Sequence, residues 1–103
     1  MGFWNLKTLA LDEFRPGIFS KVESGSNLTM AFMEIAPNKQ GIEHSHLFDQ
    51  CGIVVEGEIE MSIGEEKRLL KAMETYFIPA GISHNWKTAR SSAKILDVVL
   101  KQG

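Results

Sequence analysis

The chain has 103 residues, 44% of them hydrophobic, which is one domain's length with enough apolar content for a single core and no room for a second catalytic domain. Eleven basic and thirteen acidic residues are scattered to a net charge of −2, with no cationic face for nucleic acid or anionic lipid. Cys51 is the only cysteine, so an internal disulfide is excluded, and no apolar run approaches the roughly 20 residues of a membrane-spanning helix.

Asn5, Lys7, Asp12 and Glu13 interrupt the first stretch, so no signal-peptide core is read there and a cytoplasmic location is expected. Residues 1–26 read as an N-terminal strand extension of one domain over 1–103. Short breaks at Pro16-Gly17, Ser24-Gly25-Ser26, Pro37-Asn38, Gly57, Gly64 and Pro79-Ala80-Gly81 then cut the chain into strand-sized pieces. Apolar or alternating runs over 28–35, 52–55, 59–63, 76–78 and 93–100 read as strands, and their near-regular spacing predicts an all-β sandwich or barrel. Gly57 reads as the turn of a hairpin joining 54–55 to 59–63. In its second arm Ile59, Met61 and Ile63 share one face and Glu58, Glu60 and Ser62 the other, as expected of a wall buried on one side. Residues 65–73 are the one helix candidate, although 71–73 fit a strand equally well.

All three histidines fall in two compact segments, around His44-Ser45-His46 and at His84. Residues two apart on a strand share a face, so His44 and His46 can converge on one ion, with Gln50 joining them at a further even offset. Asp49 lies at an odd offset and is expected to face away. A lone His-x-His is a common surface or core pattern, but the tight turn Pro79-Ala80-Gly81 delivers His84 as a third imidazole. His44, His46, Gln50 and His84 therefore suit one divalent transition metal, with nickel, zinc, iron and manganese all compatible.

At these residues the chain resembles the cupins, the double-stranded β-helix or jelly-roll proteins. Their first motif, His-x-His then Glu then Gly, is matched by His44-Ser45-His46, Gln50 and Gly57. Their second, Gly then Pro-x-Gly then His, is matched by Pro79-Ala80-Gly81 and His84. Met73 stands where the second motif opens with Gly, and Thr88 where an Asn often closes it. Gln50 replaces an anionic Glu, which leaves a bound metal one unit more positive and suits Lewis-acid work better than high-valent chemistry. Within the cupins the chain is similar to the small proteins of pectin and alginate breakdown that linearise unsaturated uronates, which use an Asp on a late strand.

That resemblance implies an isomerase or lyase acting on a sugar-acid-like compound, with Asp97 as the catalytic acid or base and a homodimeric assembly. Asp97 interrupts the apolar run 94–100, so its carboxylate is either poised beside the metal or pairs with Lys94 or Lys101 at a strand end. Glu34 takes its place if it proves to face the metal; Glu43 is expected to point outward. Trp86 shares the expected face of His84, either lining the pocket or filling the core. Val99 stands where those proteins carry an aromatic, and the Arg of their short tail has no counterpart, leaving Arg90, Lys39 or Lys87 as substitutes. Two other readings remain: an oxygen-using cupin that oxidises a small organic acid, and a non-catalytic module binding a sugar or other small ligand.

Overall fold

The computed structural model describes residues 2–101, and the outer limits of the domain expected over 1–103 lie outside them. The described residues form eight strands and no helix: β1 (Asp12–Arg15), β2 (Ile18–Ser24), β3 (Leu28–Ile35), β4 (Gln50–Ile63), β5 (Glu66–Lys71), β6 (Thr75–Ile78), β7 (His84–Lys87) and β8 (Ala93–Leu100). Among the described residues no helix is long and apolar enough to cross a membrane. Every pairing is antiparallel, as in the jelly-roll barrel expected. One sheet runs β1-β2-β3-β8-β4 with β6 on the far side of β4; a smaller one pairs the second half of β4 with β5 and β7.

The shared strand β4 corrects the hairpin expected at Gly57. Its 14 residues are continuous, and its two halves pair with different neighbours instead of with each other. The register against β8 shifts between Val54 and Glu56, a bulge that moves the inward positions from Gln50, Gly52 and Val54 to Ile59, Met61 and Ile63. Gly57 lies at that bend with φ 79°, and a Cβ there would collide with the Ser92 carbonyl. The glycine thus marks a change of sheet, which uses the same permissive backbone as a turn.

The helix expected over 65–73 is also corrected, because most of it is β5. Gly64 at φ 59° opens a two-residue turn that folds this segment back on β4, with Ile63 opposite Glu66. Pairing along β4 outweighs local helix propensity. Between the sheets Ile35, Val54, Ile59, Ile78 and Ile95 are at most 3% exposed and form the core with Ile18, Met61, Leu70 and Tyr76. Full burial of such an aliphatic side chain contributes on the order of 1.5–3 kcal/mol. Phe32 is buried separately on the outer face of the larger sheet, beside Phe19 and the non-strand residues Leu6, Leu9 and Leu11.

Candidate metal centre

His44 and His46 do not lie on a regular strand. His44 makes an isolated bridge to His84, through His44 N–H to the His84 carbonyl (3.1 Å) and the reverse bond (2.9 Å). The Pro79-Ala80-Gly81 turn, with Gly81 at φ 84°, ties the second loop to the first through Gly81 N–H to the His46 carbonyl (2.7 Å). These backbone bonds bring the three rings together without strand alternation. The His84 ring centroid lies 4.3 Å from that of His44 and 4.8 Å from that of His46. One ring nitrogen from each histidine lies within 4.8 Å of the others, and the three side chains grade from exposed His44 to buried His84.

Hydrogen-bond polarity sets the tautomer of each ring. The Nδ1 of His44 donates to the Ile42 carbonyl (2.8 Å), that of His46 to the Phe48 carbonyl (2.9 Å) and that of His84 to the Ile82 carbonyl (3.0 Å). A carbonyl only accepts, so each Nδ1 carries a proton, and the neutral form of each ring then has its lone pair on Nε2. His84 Nε2 is buried without a hydrogen-bond partner among the described residues. Phe48 stacks on the His46 ring at 4.0 Å and 1° and holds its plane.

Gln50, the first residue of β4, lies beside His46. Its Nε2 donates to both oxygens of Asp97, at 2.9 and 3.0 Å, which turns Oε1 toward His46 Nε2 at 2.9 Å. A neutral imidazole lone pair facing a carbonyl oxygen at that distance requires positive charge, either a proton on the ring or an ion shared by the two acceptors. Three lone pairs and one amide oxygen therefore fit a divalent metal, with His44, His46, His84 and Gln50 as the residues that would hold it.

Asp97 faces the barrel interior, 6% exposed, and accepts a third hydrogen bond from the Tyr76 hydroxyl at 2.5 Å. The alternative pairings do not form: Lys94 pairs with Glu56 at 3.0 Å, and Lys101 donates to the Gly25 carbonyl. Burial pushes the Asp97 carboxyl above the usual carboxylate range, opposed by the bonds from Gln50 and Tyr76 and by His46 and His84. Burial also raises Tyr76, reinforced by the Asp97 charge. His84 is held below the ordinary imidazole value chiefly by burial.

The other candidate residues lie away from the three rings. Asp49 faces outward and accepts from Ala80 N–H, and Glu43 accepts from Ser83. Glu34 lies opposite Lys94 on the outer face of the larger sheet, so it does not replace Asp97. Trp86 packs on the core and against Gly41, and its ring makes no contact with the histidine rings among the described residues. Lys39 lies over Gly17, Lys87 pairs with Glu60, and Arg90 lines a cleft with Glu58 and Leu69, so none of these cations reaches the histidines. A different cation, Arg68, sits with Glu66 at the rim of a cleft of about 230 Å³ between β5 and β6. Tyr76 and Ile63 line this cleft, and Ile63 lies opposite His84.

Tyr76 was invisible to motif reading. Its signal was a lone tyrosine in an apolar strand, whose hydroxyl needs a partner once buried.

Residues 31–99 match the Cupin domain family. No curated protein matches the chain. Among solved structures, KdgF from Halomonas sp. superposes with a TM-score of 0.86 at 22% identity, covering 100% of this chain and 96% of that one. A Thermus thermophilus protein, TT1209, gives 0.86 at 25% identity with both chains covered fully. An RmlC-like cupin from Shewanella frigidimarina gives 0.85 at 17% identity, covering 99% and 92%.

Proposed function

This chain belongs to the cupin family, and we propose that it is a metal-dependent isomerase or lyase of a small sugar-acid-like compound, with Asp97 moving the proton. The observation that carries the reading is the buried Asp97 carboxylate beside four convergent acceptors. Bound there, a divalent metal supplies Lewis acidity that polarises a substrate carbonyl or carboxylate oxygen. Asp97 Oδ1 accepts from both Tyr76 and Gln50, whereas Oδ2 accepts from Gln50 alone and keeps a lone pair for a substrate proton. Removal of a proton next to a carbonyl leaves the C–H electron pair in an enolate. Return of the proton at a different atom completes an isomerisation; loss of a β-leaving group with that pair completes an elimination. Burial raises the Asp97 carboxyl above the usual carboxylate range, which suits a group that both takes and returns a proton.

Arg68 supports an acidic substrate. It lines the cleft that also holds Tyr76, 3.5 Å from Glu66, and we propose that it exchanges that exposed partner for a substrate carboxylate. The test is turnover of unsaturated uronates and related sugar acids by metal-replete protein, with and without O2. Anaerobic turnover that Asp97→Asn abolishes even at saturating metal is the expected result. Turnover only with O2 would give the site to oxidation, and no turnover at all would leave a ligand-binding module.

The assembly we propose is a homodimer of cytoplasmic protein. Phe77, Cys51, Val98 and Met30 sit side by side across β6, β4, β8 and β3 on the outer face of the larger sheet. Phe77, Leu28 and Leu100 on that face are 59%, 52% and 44% exposed. A contiguous apolar face of this kind favours burial against a second copy. Light scattering that gives the monomer mass of 11.5 kDa would rule it out.

A further inference from the structure

Tyr76 on β6 and Asp97 on β8 are not neighbours in the sheet, because β4 runs between them. Both lie in register with the same β4 residue, Gly52. A Cβ at that position would stand 2.5 Å from the tyrosine Cζ and would collide with its hydroxyl. The missing side chain is therefore the passage through which the phenol reaches across β4 to the carboxylate. Gln50, one inward position earlier on β4, meets the same carboxylate through its amide nitrogen. The hydrogen bonds all run one way, from Tyr76 O–H to Asp97 and from Gln50 N–H to Asp97, with Gln50 Oε1 left facing His46.

The geometry points to Tyr76 as a positioning residue for the metal centre: through Asp97 it sets which end of the Gln50 amide faces the ion. An amide has one coordinating end, and its two orientations nearly coincide in shape, so rotation by 180° would present NH2 to the metal. Asp97 penalises that rotation because it would put Oε1 against the carboxylate. The carboxylate can do so only while it is itself held in plane, and the Tyr76 hydroxyl, reaching Oδ1 from β6, is the second donor that holds it. Gly52 is the structural condition for that reach. The inference rests on the reading of His44, His46, Gln50 and His84 as metal ligands.

The test is titration of metal-free protein with cobalt(II), followed by calorimetry and by visible absorption, which reports the donor set. Tyr76→Phe keeps the ring in the core and removes only the hydroxyl. Loss of an outer partner of a metal ligand typically weakens metal binding about 10–100-fold, and that loss with an altered cobalt spectrum is the expected result, at unchanged circular dichroism. In a Gln50→Glu background both ends of the side chain are oxygen, so there the same removal should cost under about threefold. Wild-type affinity and spectrum in Tyr76→Phe, or an equal loss in both backgrounds, would overturn the proposal. His84→Ala separates the two readings: if it binds cobalt as the wild type does, the ligand assignment fails; if it does not, a silent Tyr76→Phe refutes the positioning role alone.

Discussion

Gln50→Glu is a nearly isosteric change with a large expected effect. It replaces an N–H donor, 2.9 and 3.0 Å from the two Asp97 oxygens, by a carboxylate oxygen, so two hydrogen bonds become one buried like-charge contact. Two unit charges about 4 Å apart repel by about 4 kcal/mol at an effective dielectric of about 20. The pair escapes part of that by sharing a proton, at about 1.36 kcal/mol per pH unit between its apparent pKa and the medium. The expected destabilisation is therefore about 3–4 kcal/mol at pH 8, within the stability of a typical domain. The folded pair binds its proton more tightly than two unfolded carboxyls do. Stability of the variant then falls as pH rises above the ordinary carboxyl range, and the penalty fades toward pH 5. Urea unfolding in EDTA, which keeps out an ion that would offset the repulsion, measures this for wild type, Gln50→Glu, Asp97→Asn and the double variant. In the double variant an amide again meets a carboxylate, so it should exceed the sum of the single effects by at least about 2 kcal/mol. A Gln50→Glu protein as stable as wild type at pH 8, or additive single effects, would refute the assigned hydrogen-bond polarity.

Three further outcomes are expected. Met73 holds φ 73° and is 76% exposed; a left-handed conformation costs a side-chain-bearing residue roughly 1–2 kcal/mol, partly offset in glycine by its greater unfolded-state entropy. Met73→Gly should therefore stabilise by about 0.5–1 kcal/mol in urea unfolding, and destabilisation would contradict it. His84 lies below the ordinary imidazole value through burial, so in metal-free protein the unfolded chain takes up the proton first as pH falls below about 6.5. Stability should decline through that window until folded His84 also protonates, and His84→Gln should remove this component; identical pH profiles would count against it. Arg68→Ala should raise KM for an acidic substrate with kcat nearly unchanged, because a rim contact binds ground and transition states alike. A fall in kcat at constant KM would exclude that role.

The strands over 28–35 and 93–100 were legible because each is a mostly apolar run of strand length that pairs with the other from end to end. β4 was not. Its inward positions change parity between Val54 and Ile59, and a parity change beside a glycine looks the same in sequence whether the chain turns back or passes into a second sheet. β5 was missed because its single buried residue, Leu70, owes its burial to β4 and leaves no local pattern. Even offsets placed His44 and His46 together, but what joins them is the bridge to His84 and the bonds from their rings to nearby carbonyls.

The sequence by itself brought out the three imidazoles that could hold a metal ion, and the amide we propose beside them, because ligand type and local spacing are properties of short segments. It left Asp97 between two placements and was silent on Tyr76. Only the tertiary structure decided where these side chains lie, since β6, β4 and β8 bring together residues 21 and 47 positions apart in the chain. Across that row a missing Cβ at Gly52 joins a tyrosine to the aspartate that orients Gln50. A hydrogen bond between distant segments has no periodicity, so no local pattern announces it.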